Sequence, residues 1–323
     1  MYQRFYGLRE LPFELTPNPR FLFLPPRHRE ALSNLQYGLS SAKAITVLIG
    51  EAGTGKTTLL RAALESEPCR QVQAVYLSNP ALTPQDFVRL LAIRFDLSAQ
   101  ARESKAVFLD EVERVLRERR ANGTITALIV DEAQSVSVEL LEELRLLANI
   151  ETASEKLLPL VLAGQPELHA RLNDPALRQL KQRVALRCEI GPFDLSETAT
   201  YIASRITEAG GNASGMFSRE AVAVIHEYSG GIPRTISVLC DNALVSGMAL
   251  GRKPVDRSII VEVGRDFCVA PPDAGVAPVP AATEKAAAPP SPEAVEALPK
   301  RQRSLWFRRA RNLLSQPAEV LSK

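Results

Sequence analysis

The chain has 323 residues, 46% hydrophobic and 24% charged, with a formal net charge of +2. That balance suits a globular chain long enough for two domains, and it is too near neutrality to imply a polyanionic partner. Four scattered cysteines, Cys69, Cys188, Cys240 and Cys268, form no CxxC pair and join no histidine cluster, and no uncharged apolar run reaches the roughly 18 to 20 residues that span a bilayer, so a disulfide framework, a zinc site and an integral membrane protein are not expected.

The opening "MYQRFYGLRELPF" lacks the long apolar core of a secretory signal, which points to the cytoplasm. From residue 44 to about 190, apolar strands alternate with helical patterns, as in a parallel sheet covered by helices. The expected strands are 44–49, 72–77, 124–130, 158–163 and 184–190. The expected helices between them are 57–66, 84–95, 104–120, 137–148 and 166–181, with Thr83 and Ser137 as N-caps. From 196 to 268 the strands give way to helical segments at about 197–209, 218–229, 233–249 and 256–267. The chain therefore reads as an N-terminal linker segment (1–43), an α/β domain (44–193), a helical lid domain (194–269), an Ala/Pro-rich linker (270–299) and a basic tail (300–323).

Behind the first strand, Ile45-Thr46-Val47-Leu48-Ile49, comes "GEAGTGKTTLL". A flexible glycine turn is the bland alternative, but Gly50, Gly55, Lys56 and Thr57 meet the phosphate-loop spacing. In such a loop the backbone amides of Gly50, Glu51, Ala52, Gly53, Thr54, Gly55, Lys56, Thr57 and Thr58 surround the phosphates of ATP. Lys56 reaches the β and γ oxygens, and the Thr57 hydroxyl ligates Mg²⁺. The run "ITALIVDEAQ" is a buried strand ending in two carboxylates. Asp131, beside the loop strand, can hold Mg²⁺ through water, and Glu132 can polarise the attacking water; the competing reading is an acidic pair capping the next helix. Arg178 and Arg183, in "RLNDPALRQLKQRVALRCEI", are either solvated charges or groups that reach the γ-phosphate of a neighbouring subunit. In "SGGIPRTISVLCDNAL", Pro233 starts a helix and Arg234 could point from it back at the nucleotide.

Together "VDEAQ", "LRLLANIET", "LPLVLAGQPELHARL", "LRQLKQRVALRCEIGPF" and "SGGIPR", with the opening "FYGLRELPFELTPNPRFLFLPPRHREAL", resemble the general secretion pathway protein A (ExeA-type) family of AAA+ ATPases over about residues 1–268. The resemblance implies a P-loop AAA+ parallel sheet followed by a small all-helical lid. It makes Lys56 and Glu132 catalytic, Thr57 and Asp131 the metal residues, Arg234 the sensor arginine of the lid and Arg183 the arginine finger, with Arg178 as its alternative. Many AAA+ enzymes carry asparagine or threonine at the end of the fourth strand; this chain reads Ala163-Gly164-Gln165, which leaves Gln165 to sense the γ-phosphate. Full-length members also carry a membrane span and a periplasmic peptidoglycan-binding domain, so the chain looks like a short form.

The function implied is a homo-oligomeric ATP hydrolase that drives or regulates assembly of a bacterial envelope secretion, pilus or exopolysaccharide apparatus. The alternatives are a DNA-binding ATPase regulating transposition target selection, for which no helix-turn-helix or zinc module is visible, and a slow nucleotide-dependent adaptor, against which Glu132 argues. The tail adds one expectation. In "RQRSLWFRRARNLL" a helix would line up Trp306, Ala310, Leu313 and Leu314, away from most of Arg303, Arg308 and Arg311. That is the pattern of a peripheral contact with the anionic inner membrane; a disordered basic tail or a docking helix is the competing reading.

Overall fold

In the computed structural model, which describes residues 2–15, 19–77, 82–153 and 155–267, five parallel strands form one sheet in the order β2-β3-β4-β1-β5. The strands are β1 (Ile45–Ile49), β2 (Val72–Leu77), β3 (Ile125–Val130), β4 (Leu160–Gly164) and β5 (Val184–Glu189). The three central strands read ITVLI, ITALIV and LVLAG and are buried along their whole length. Continuous apolar runs of this kind suit strands covered on both faces, whereas the edge strands β2 and β5 alternate with exposed positions. The expected α/β class is therefore the observed one.

Nine helices among the described residues precede or flank the sheet: α1 (Tyr2–Tyr6), α2 (Pro26–Ser40), α3 (Lys56–Glu65), α4 (Pro84–Arg94), α5 (Ala99–Glu103), α6 (Lys105–Ala121), α7 (Val138–Leu147), α8 (Glu167–Leu172) and α9 (Arg178–Gln182). Because side chains alternate across a strand, Ile45, Val47 and Ile49 of β1 join the core under α4 to α9, while Leu48 joins the opposite core under α2 and α3. Thr83 and Ser137 cap α4 and α7 as expected, accepting from the backbone N–H of Asp86 at 3.1 Å and of Leu140 at 3.3 Å.

The helix expected over 166–181 is two short ones. Pro175 has no N–H to continue the ladder, and the Asp174 carboxylate takes the N–H of Ala176 at 2.9 Å, so α8 ends and a turn at Pro175–Leu177 precedes α9. Helix α2 went unforeseen inside the N-terminal segment, although Ala31, Leu35 and Leu39 recur every fourth residue and are all buried.

Four more helices follow, α10 (Leu195–Glu208), α11 (Arg219–Ser229), α12 (Pro233–Ala249) and α13 (Arg257–Asp266). They share one apolar cluster with Tyr2, Tyr6, Leu8, Phe13 and Phe21. The N-terminal residues thus divide: those up to Phe21 pack with the C-terminal helices, and α2 packs on the sheet. Arg205 of α10 secures the crossing by donating to the carbonyls of Pro12 at 3.0 Å and Glu14 at 3.4 Å. No helix among the described residues is long and apolar enough to cross a membrane. Cys268, the Ala/Pro-rich linker and the basic tail lie outside the described residues.

Candidate functional site

Parallel strands joined by helices bring their C-terminal ends to one edge of the sheet, which is where ligands bind in open α/β folds. At that edge β1 delivers Gly50, β3 delivers Asp131 and β4 delivers Gln165. The loop from Gly50 to Gly55 then feeds α3, whose first residue is Lys56.

Lys56 is buried, and its Nζ donates to the carbonyls of Gly50 at 2.8 Å and Glu51 at 3.0 Å. Burial pushes its ammonium below the usual lysine range, against the pull of Glu132, Asp131 and Glu167. The Thr57 hydroxyl donates to Asp131 Oδ2 at 2.9 Å, so a residue of α3 and one from the end of β3 present two oxygens side by side. Glu132 follows with left-handed backbone angles, φ 53° and ψ 39°. Its carboxylate accepts from Gln134 Nε2 at 2.5 Å and Gln165 Nε2 at 3.3 Å. The Gln134 bond is the largest influence holding Glu132 below the usual carboxylate range; partial burial opposes it, and Gln165 and Lys56 add to it.

Arg234 arrives from the first turn of α12. Its backbone N–H donates to the Gly53 carbonyl at 3.2 Å, and a Cβ on Gly53 would lie 3.0 Å from both Arg234 Cβ and Ile232 Cγ2. Lys56, Thr57, Thr58, Glu132 and Arg234 line a cleft of about 400 Å³ together with Gly53 and Gly55. Leu15, Phe21, Tyr201 and Arg205 belong to the same lining. Every loop residue from Gly50 to Thr58 lies in this strand–loop–helix unit, although Gly50 and Glu51 border a second cleft of about 810 Å³ with Arg27, Glu30, His169 and Glu189.

Two expected site residues stand elsewhere in the chain. Arg183 directly precedes β5, whose first residue, Val184, pairs with Ile45 at the start of β1, so it sits at the edge of the sheet opposite the phosphate loop, with Glu151 nearby. Arg178 is exposed at the start of α9. Neither lines the cleft of its own chain.

Several residues went unread. Gln134, within "VDEAQ", has no role that the sequence alone signals. His28 is buried, with Nε2 3.2 Å from the Thr54 carbonyl and its ring 5.3 Å from that of Phe193. The carbonyl can only accept, so Nε2 carries the proton. Tyr201 and Phe21 flank the Arg205 guanidinium at 5.3 and 5.1 Å, a stack no local pattern announces.

The donor set fits Mg²⁺: one hydroxyl and one carboxylate oxygen lie 2.9 Å apart beside the buried lysine. No group of three or more His, Cys, Asp or Glu among the described residues could form a protein-only cage. Magnesium is commonly held in this way, by one or two protein oxygens plus phosphate and water.

Residues 39–172 match the family model of the AAA domain. General secretion pathway protein A of Aeromonas hydrophila is 39% identical over 251 residues, which is 78% of this chain and 46% of that protein. The chain thus spans about half the length of that curated relative. Among solved structures, the ORC2 protein of Aeropyrum pernix superposes with a TM-score of 0.59 at 18% identity, over 79% of this chain and 71% of the other. CDC6P from Pyrobaculum aerophilum gives 0.58 at 16% identity, over 79% and 70%. At such identities the two likenesses speak for the fold.

Proposed function

We propose that this chain, whose residues 39–172 match the AAA domain and which resembles general secretion pathway protein A, is an AAA ATPase that binds ATP with Mg²⁺ in the Lys56–Glu132–Arg234 cleft, hydrolyses it, and uses the cycle to drive or regulate assembly of an envelope secretion, pilus or exopolysaccharide apparatus. The observation that carries the reading is the convergence of a buried Lys56, the Thr57–Asp131 oxygen pair and an ionised Glu132 at the C-terminal edge of the sheet.

Each residue then has a task its geometry allows. Lys56 exchanges the Gly50 and Glu51 carbonyls for β and γ phosphate oxygens, and because it is already desolvated, binding does not have to strip its water. Thr57 and Asp131 hold Mg²⁺, which when bound neutralises charge on the phosphate oxygens. Glu132 accepts the proton of the attacking water as the water oxygen bonds to the γ-phosphorus and the bond to the bridging oxygen breaks, with ADP leaving. Arg234, at the start of α12, contacts the phosphates, and the aromatic rings of Phe21 and Tyr201 in the cleft lining suit the base. Arg183, remote from its own cleft, acts on the site of a neighbouring copy, which makes the working form a homo-oligomer, active at the cytoplasmic side of the envelope.

Two variants test the reading. Lys56→Ala should abolish ATP binding. Glu132→Gln should bind ATP and lose turnover by at least about a hundredfold, the scale of a removed general base. A Glu132→Gln protein that hydrolyses ATP at the parent rate would refute the assignment.

A further inference from the structure

One side chain bridges the ends of β3 and β4. Gln134 donates from Nε2 to Glu132 Oε2 at 2.5 Å, and its Oε1 accepts the backbone N–H of Gln165 at 3.0 Å. Its own backbone carbonyl accepts from the Arg171 guanidinium of α8, so the residue is tied at both the main chain and the side chain. The fit is tight: a Cβ on Gly164 would come within 2.8 Å of Gln134 Oε1, so the bare glycine at the end of β4 admits the amide.

Glu132 needs such a tie. It sits between the end of β3 and a single 3₁₀ turn, in the left-handed backbone region, and its side chain is exposed. No regular element orients its carboxylate. The Gln165 side chain also reaches Oε2, at 3.3 Å, but that bond is longer and ends on a flexible side chain, whereas Gln134 is anchored on backbone.

We propose that Gln134 is the positioning residue of the hydrolytic site: it fixes the Glu132 carboxylate and ties it to the backbone at the end of β4, so that a displacement of Gln165 is passed on to Glu132. The inference rests on the reading of Glu132 as the proton acceptor. The chemistry explains the residue type. A primary amide offers a donor and an acceptor on one planar group, which leucine lacks. Glutamate would set a like charge against Glu132, and neutral histidine again offers one donor and one acceptor.

The experiment uses the full chain with ATP and Mg²⁺, measuring kcat and KM for the parent, Gln134→Leu, Gln134→His, Gln134→Glu and Gln165→Ala. It adds the Gln134→Leu change made in the Glu132→Gln background. The expected result is a kcat lowered about 10- to 100-fold in Gln134→Leu with KM within about threefold, because an interaction that matters in the transition state is removed and ground-state binding is kept. Gln134→His should recover at least part of the loss. Gln165→Ala keeps the backbone N–H that Gln134 uses and should lose less than Gln134→Leu.

In the Glu132→Gln background, Gln134→Leu should cost nothing further, since it acts through the carboxylate already removed. A Gln134→Leu protein with parent kcat overturns the inference. So does one whose loss is undiminished in the Glu132→Gln background, the result expected of packing damage. If the leucine variant does not fold, an active histidine variant with an inactive glutamate variant supports the tie, and parent activity in Gln134→Glu overturns it. A parent chain without ATPase activity, or a Glu132→Gln protein at the parent rate, instead refutes the function proposed above.

Discussion

Two adjacent glycines make a matched test of the junction between the sheet and the C-terminal helices. Gly230 and Gly231 both have positive φ, 58° and 75°, so either pays the left-handed penalty when substituted. For alanine that penalty is about 1 kcal/mol, lessened slightly by the entropy removed from the unfolded chain. Their surroundings differ. A Cβ on Gly230 meets nothing within 4 Å, whereas one on Gly231 would lie 2.0 Å from the Phe193 carbonyl oxygen and 3.0 Å from its carbon and nitrogen. These are backbone atoms with no rotamer to turn, and the Phe193 N–H is itself bonded to the Gly231 carbonyl at 2.8 Å. Relief requires moving one strand of the junction by more than about an ångström, which breaks that hydrogen bond, so Gly231→Ala should cost at least about 3 kcal/mol against about 1 kcal/mol for Gly230→Ala. In a chain of this size the melting temperature should fall by about 2 °C for Gly230→Ala and by roughly three times as much for Gly231→Ala. The assay is thermal unfolding followed by circular dichroism, checked by guanidinium titration. Equal shifts in the two variants would refute the reasoning.

Burial holds His28 below the usual imidazole range, so the folded state binds this proton less readily than the unfolded one; the associated stability is full above about pH 6.5 and is lost as the pH falls below it, and His28→Gln should flatten the slope of stability against pH in that window. Burial raises the Cys188 thiol to about 11 and lifts those of Cys69 and Cys240, so in the native protein none of the three should react with iodoacetamide within an hour at pH 8, and all should react in guanidinium, as read by mass spectrometry. Mixing inactive Arg183→Ala with inactive Glu132→Gln should restore part of the ATPase activity through mixed interfaces; no recovery at any ratio, with both variants folded and able to associate, would rule out an arginine acting in trans.

The sequence was most informative where the determinants are local. Gly50, Gly55, Lys56 and Thr57 lie within one loop and helix turn, and the strand before them is an unbroken apolar run, so the loop, its position after β1 and the acids after β3 could be read from spacing. Thr83 and Ser137 announce their helices because a cap acts on an amide three residues away. What could not be read depends on residues brought together by the fold. Gln134 meets Gln165 from 31 positions away, His28 meets Thr54 from 26, and Arg205 reaches Pro12 across 193. Each is a polar side chain whose partner is a backbone group, and nothing in the partner's residue type signals the bond. Helix α2 is a different case. Its apolar period was present, but Pro25 and Pro26 at its start and Gly38 near its end gave the segment the look of a linker.

The phosphate loop is held from two sides before any nucleotide is considered. The Gly53 carbonyl takes the N–H of Arg234 from the C-terminal helices, and the next carbonyl, of Thr54, takes His28 from α2. Each bond is worth about 1 kcal/mol net, but their placement matters more than their sum, because they fix two successive peptide units of the loop. A loop ordered in this way spends less of its binding energy on its own ordering. The same bonds make the arrangement reciprocal. If phosphates shift the peptide units at 53 and 54, α12 must follow through Arg234; if α12 moves, affinity for phosphate must change by the same free energy. His28 packs on Phe193, whose N–H bonds Gly231 two residues before α12, so both ties converge on one junction. The glycine pair there is therefore placed to affect nucleotide affinity as well as stability.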